Sequence, residues 1–90
     1  MRTILITGAS RGIGRSIATL LLSQGHHLCL AVRDPDGLRD TALDPRLHGD
    51  ALSLCRYDAR DPGDAERAVQ ATQQAFGSLD TLIHCDGILR

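Results

Sequence analysis

Short apolar runs alternate with stretches of helical periodicity along this chain, and the alternation predicts its architecture. Ile4 to Thr7 is a run of apolar and β-branched residues stopped by Gly8, the pattern of a short strand buried on both faces. Ile13, Ile17, Leu20, Leu21 and Gln24 then follow helical spacing, and Gly25 stands where a left-handed cap closes a helix. Leu28 to Val32 reads as a second strand. Asp34-Pro35 offers an N-cap followed by proline in the first helical turn, which predicts a weaker helix through about Leu43, with Gly37 as its weak point and Pro45 ending the pattern. Ala51 to Tyr57 predicts a third strand, and Asp61-Pro62 repeats the cap-and-proline start. Ala65, Val69, Thr72 and Phe76 share one helical face, and Gly77 can close that helix. Thr81 to Cys85 makes a fourth strand. Strands alternating with helices imply an α/β fold, βαβαβαβ, with a parallel sheet and right-handed crossovers.

Ninety residues suffice for one small domain or a piece of a larger one, and exclude two independent cores. The net charge of −1 argues against nucleic acid or an anionic membrane as the dominant partner, because both draw on a concentrated basic surface and the arginines here are scattered. All ten basic residues are Arg, so any mechanism that needs a lysine ammonium from this chain is excluded. Cys29, Cys55 and Cys85 are an odd number without a CxxC pair, which suggests neither a disulfide framework nor a zinc knuckle. A reducing, cytoplasmic setting is expected. The N-terminal apolar run is too short for a signal peptide, and no stretch approaches the length of a membrane helix.

The turn after the first strand carries the chemistry. It reads Thr7-Gly8-Ala9-Ser10-Arg11-Gly12-Ile13-Gly14. Gly8 lets the chain turn sharply out of the strand, and Gly12 and Gly14 let a ligand phosphate and the neighbouring strand approach the backbone. Exposed amides at the start of the helix favour a phosphate there. The alternative is a glycine-rich turn that binds nothing. A P-loop of the NTPase type is excluded, since that motif needs a Lys after its last glycine.

At these residues the sequence resembles the short-chain dehydrogenase/reductase family in its TGxxxGIG form, and the resemblance runs to Arg90 through Asp58 and the segment Asp80 to Ile88. It covers the whole chain but only the N-terminal half of the family's fold. It implies a Rossmann-like sheet of order 3-2-1-4, half of a doubly wound fold, so that residues 1–90 form the N-terminal part of an NAD(P)-binding domain. It also implies a dinucleotide cofactor, contacted by Gly8, Ser10, Arg11, Gly12, Ile13 and Gly14. Asp58 resembles the family's acceptor for the adenine amino group, with backbone contacts from the adjacent Ala59. Cys85, Asp86 and Gly87 stand beside the expected ribose.

A Rossmann site selecting NAD usually places an acid about twenty residues beyond the glycines, whereas an arginine accommodates a 2′-phosphate. Here Val32 occupies the acid's place and Arg33 follows it, with Arg11 as a second guanidinium, so NADP(H) is expected over NAD(H). Arg33 as a solvated charge paired with Asp34 or Asp36 is the alternative, and Asp34 as a ribose partner stays open. His84-Cys85-Asp86-Gly87 stands where the family has Asn-Asn-Ala-Gly, and only Gly87 matches. Cys85 cannot supply the asparagine amide that ties neighbouring strands, and Asp86 could accept ribose hydroxyls or repel phosphates. His84 and Cys85, as consecutive strand residues, point to opposite faces and share neither metal nor proton. His26, His27 and His48 read as loop or surface residues, and no metal site is expected.

The family's catalytic serine and Tyr-x-x-x-Lys are absent. The single tyrosine, Tyr57, has Asp61 four residues on and sits in a strand, so it reads as structural and no catalytic residue is assigned. The expectation is a binding half without dehydrogenase activity of its own, consistent with a fragment or a truncated reading frame. The alternatives are a non-enzymatic nucleotide-binding or interaction module, completed by another chain or by self-association through the exposed edge of the fourth strand, and a methyltransferase-like cofactor fold, disfavoured by Arg33.

Overall fold

A computed structural model of the chain describes residues 2–8, 12–58 and 60–85. Its elements are β1 (Thr3–Thr7), α1 (Gly12–Ser23), β2 (His27–Val32), β3 (Leu52–Arg56), α2 (Asp64–Phe76) and β4 (Thr81–His84). All strand pairings are parallel, in the order β3-β2-β1-β4. This is the expected Rossmann-like α/β arrangement.

The register explains which residues form which core. Ile4, Leu28 and Leu52 stand side by side, as do Ile6, Leu30 and Leu54, and their side chains share the face covered by α1. Ala18 of α1 is fully buried there, with Ile17, Leu21 and Leu22 packed around it. The opposite face carries Leu5, Cys29 and Ala31, and α2 lays Ala68 on them with Val69 and Phe76 alongside. Small residues on both sides of that second interface let α2 sit close to the sheet. Each aliphatic side chain taken fully out of water contributes about 1.5–3 kcal/mol, so the larger α1 face supplies most of the apolar stabilisation.

β1 is buried at every position because it lies inside the sheet with a helix on each side. β4 alternates between half-buried and exposed, and Leu82 keeps 48% of its surface in water. Both helices end on glycines in the left-handed region, Gly25 at φ 89° and Gly77 at φ 81°, as the sequence predicts.

Four local expectations need correction. The predicted helix from Asp34 to about Leu43 is a short 3-10 turn, Pro35–Leu38, followed by turns. Only Leu38 and Leu43 reach the core from this segment, too few for a helical stripe, and Asp40 adopts φ 63°. The Asp44 carboxylate accepts from the Asp40 amide at 2.8 Å and from the Arg46 amide at 3.0 Å, bonds that replace helical ones. The second helix begins at Asp64, because Asp61 closes a turn by accepting from the Gly63 amide at 2.9 Å. Ala65 is exposed, and the buried line on α2 is instead Asp64, Ala68 and Thr72. On α1, Ile13 and Leu20 face solvent, since the apolar stripe is centred on Ala18.

Candidate functional site

Every strand of a parallel sheet delivers its following residue to the same end of the molecule. Gly8, Arg33, Asp58 and Cys85 follow β1, β2, β3 and β4 closely and so gather along one edge. Between β1 and β4 the chain reverses the direction in which it adds strands, and open α/β sheets bind ligands in the crevice outside such a switch point.

At the end of β1, Gly8 holds φ 76°, a conformation that strains any L side chain, and its amide donates to the Ala31 carbonyl at 2.9 Å. Gly12 opens α1, and Gly14 is buried in its first turn. Ile13 is 61% exposed at the mouth of the crevice. Ser10, Arg11, Ala59, Asp86 and Gly87 lie outside the described residues.

The pairing of β2 with β3 continues to the very edge of the crevice, where the Tyr57 amide donates to the Val32 carbonyl at 2.8 Å. This puts Arg33 and Asp58 next to each other at the ends of adjacent strands. Val32 is buried and Arg33 is exposed. Asp36 pairs with Arg39 at 3.8 Å, and among the described residues no ion pair engages Arg33. Asp58 is held from two directions. Its amide donates to the Asp64 carboxylate at 2.8 Å, and its own carboxylate is forked by Arg60, whose Nε donates to Oδ1 at 3.1 Å and Nη2 to Oδ2 at 2.9 Å. The Arg60 amide adds a third bond to Oδ1 at 2.9 Å. The Arg60 side chain, then its amide, hold the Asp58 carboxyl well below the usual carboxylate range, with a smaller contribution from the charge of Arg33. Asp64 is buried at the start of α2 and pairs with Arg67, which also reaches Asp61 at 3.3 Å.

Sequence reading singled out Asp58 and missed Arg60 and Asp64. The signal was an Asp-x-Arg-Asp-x-x-Asp spacing, which only a turn folding back on itself makes meaningful.

At the end of β4 the Cys85 amide donates to the Thr7 carbonyl at 2.9 Å. Thr7 Oγ1 and His84 Nδ1 share a hydrogen bond of 2.8 Å. A side-chain tie between β1 and β4 therefore exists here, supplied by His84. Tyr57 is buried in the core beneath α2. The other histidines do separate things: His26 Nδ1 accepts from the Arg2 amide at 3.0 Å, His27 stacks on Phe76 with ring centres 5.3 Å apart, and His48 Nε2 bonds the Ala42 carbonyl at 2.8 Å. Among the described residues no His, Cys, Asp or Glu cluster is placed to hold a metal, and no helix is long and apolar enough to cross a membrane.

Comparison with known proteins agrees with this geometry. The family model for short chain dehydrogenases matches residues 2–90. The chain is 34% identical over 88 residues to 2-(R)-hydroxypropyl-CoM dehydrogenase of Xanthobacter autotrophicus, covering 97% of this chain and 35% of that protein. It is 32% identical over 88 residues to glycine betaine reductase ATRR of Emericella nidulans, covering 98% of this chain and 7% of the other. A 3-ketoacyl-(acyl-carrier-protein) reductase from Brucella melitensis, solved in complex with NADH, superposes with a TM-score of 0.76 at 30% identity, over 90% of this chain and 32% of that one. The chain thus spans about a third or less of the length of these relatives.

Proposed function

The chain belongs to the short-chain dehydrogenase family, and from that premise we propose that residues 1–90 are the N-terminal, dinucleotide-binding part of an oxidoreductase that prefers NADP(H) to NAD(H). Short-chain dehydrogenase ancestry and the fold supply the general part of this reading. The observation that carries the preference is Arg33: it is exposed at the end of β2, carries no ion pair among the described residues, and follows Val32 where an acid would select the unphosphorylated ribose. The Brucella relative was solved with NADH, so the fold alone does not decide between the coenzymes.

The residues present fit such a ligand. Gly8 and Gly14 leave two positions beside the crevice without side chains, and Asp58 presents an ionised carboxylate at its far end. Gly8, Gly12, Ile13 and Gly14 would line the diphosphate, with Ser10 and Arg11 between them in sequence. Arg33 would meet the 2′-phosphate, Asp58 and Ala59 the adenine, and Cys85, Asp86 and Gly87 a ribose. When bound, the coenzyme supplies or accepts a hydride against a carbonyl or alcohol carbon. The chain has no lysine, and Tyr57 is buried, so these residues bind without turning substrate over. In this reading a serine and a Tyr-x-x-x-Lys would have to come from outside residues 1–90 for the reaction to occur, and the proposed setting is the cytoplasm.

A second reading is favoured by the β4 edge, where Leu82 is half in water: a nucleotide-binding module completed by another chain, or by a second copy, pairing along that edge.

Calorimetric titration with NADPH and NADH tests the first reading. Tighter binding of NADPH is expected, weakened by Arg33→Ala more than NADH binding is. Equal affinities, or none for either coenzyme, would overturn it.

A further inference from the structure

Arg33 faces a competitor inside its own site. It stands beside Asp58 across the last pairing of β2 and β3, and a carboxylate next to a free guanidinium attracts it as a phosphate does. Any ionised Asp58 not otherwise neutralised would draw Arg33 sideways and reduce the charge available to a 2′-phosphate. The structure shows the carboxylate engaged elsewhere. Arg60 grips both of its oxygens in a bidentate fork, its amide adds a third bond, and Arg33 is left without an ion pair among the described residues.

We infer that Arg60 is a positioning residue for coenzyme selection: by occupying Asp58 it frees Arg33 to read the 2′-phosphate. The inference rests on the NADP(H) reading above. The arrangement uses Arg for a physical reason, since a planar fork satisfies both carboxylate oxygens at once and a lysine ammonium does not. It also assigns Asp58 two states of use. Its lone pairs toward Arg60 are filled, and those that remain can accept from an adenine amino group. Exposure limits the strength of the pair, as the Arg60 side chain is 75% accessible, so its effect is a tuning of preference and not a gate.

The test is the ratio of NADH to NADPH dissociation constants, measured by calorimetry at low ionic strength on the 90-residue chain and four variants. In Arg60→Gln the ratio falls, by up to about fivefold, the ceiling set by an exposed ion pair. The Asp58→Asn/Arg60→Gln double variant recovers it, because no carboxylate remains to capture Arg33. Arg60→Lys, whose ammonium neutralises Asp58 without forking it, gives a ratio between those of the unaltered chain and Arg60→Gln, and Arg33→Ala abolishes it. If Arg33→Ala collapses the ratio while Arg60→Gln leaves it unchanged, or lowers both affinities equally, the role of Arg60 is overturned and the coenzyme preference stands. If the unaltered chain shows no preference, both fall. Circular dichroism on each variant identifies any that fail to fold. For Arg60 the conservative Lys variant then decides, and a ratio as low as that without Arg33 counts against the inference.

Discussion

Thr7 and His84 meet at the mouth of the crevice, hydroxyl to imidazole at 2.8 Å, across the junction of β1 and β4. Thr7 is 1% exposed and precedes the glycine turn, so the contact fixes the strand end from which that turn departs. Beside it, the Cys85 amide bonds the Thr7 carbonyl, which makes Thr7 the anchor for the last described residues of the chain. Thr7→Val, which keeps the shape and removes the hydroxyl, should cost about 1 kcal/mol in urea unfolding, the usual net value of one such bond. His84→Ala in the Thr7→Val background should then add little. A full additive loss in that double variant would show that the two residues act independently.

A second prediction concerns acid. Asp44 is buried, and hydrogen bonds from Arg46, chiefly its side chain, and from the Asp40 amide hold its carboxyl well below the ordinary value of 3.8. A carboxyl depressed by folding contributes stability that is complete above its unfolded value and is lost as pH falls through the folded one. Melting temperature should therefore decline as pH drops below about 4, and Asp44→Asn should be less stable at neutral pH with a shallower acid decline. A variant with an unchanged slope would exclude Asp44 as a source of the acid sensitivity.

Two thiols carry the third. Cys29 and Cys55 lie diagonally across β2 and β3 with their sulfurs 4.0 Å apart, and the hydrogen bond between them pulls the Cys29 thiol down to about 7 against the opposing effect of burial. The remaining proton is correspondingly hard to remove, and Cys55 is pushed up. Thiolate absorbance near 240 nm should show a step close to pH 7 that moves upward in Cys55→Ala, where burial acts with less opposition. An unmoved step in that variant would show that Cys55 is not what lowers Cys29.

Gly77 isolates a backbone cost. It sits at φ 81°, and a Cβ placed on it would meet nothing within 4 Å. Gly77→Ala should destabilise the chain by about 1–2 kcal/mol through conformation alone, and Gly77→Asn by less, since Asn tolerates the left-handed region. Chemical denaturation of both variants measures the difference directly.

Core truncation supplies the last. Leu30 is fully buried between β1 and β3 on the α1 face, and Leu30→Ala should remove about 2–5 kcal/mol. For a chain of this size the total is about 5–13 kcal/mol, so the variant should melt at a far lower temperature or not fold. A shift of only a degree or two would mean that the α1 face is not the main source of stability.

The sheet was readable because its information is local. Ile4, Leu28, Leu52 and Thr81 each mark an apolar run bounded by turn residues, and the glycine-rich turn after the first run ties the order of strands to a known topology. The segment after β2 departs from its helical pattern because Asp34-Pro35 signals a helix start without saying whether an apolar stripe follows, and Asp44 then bonds backbone groups from outside the expected helix. In the candidate site, glycine and arginine positions were visible as residue types at fixed spacing. What escaped was partnership. The grip of Arg60 on Asp58 and the meeting of Thr7 with His84 depend on turn closure and strand register, and neither exists until the chain has folded.

The central place of β1 has a consequence for biosynthesis. This strand takes its partners from strands that follow it by roughly 24 and 77 residues, so it has nothing to pair with until they are synthesised. The apolar run Ile4, Leu5 and Ile6 therefore completes its sheet only after both neighbours exist, which makes closure of the non-local β1–β4 pairing the slow part of assembly.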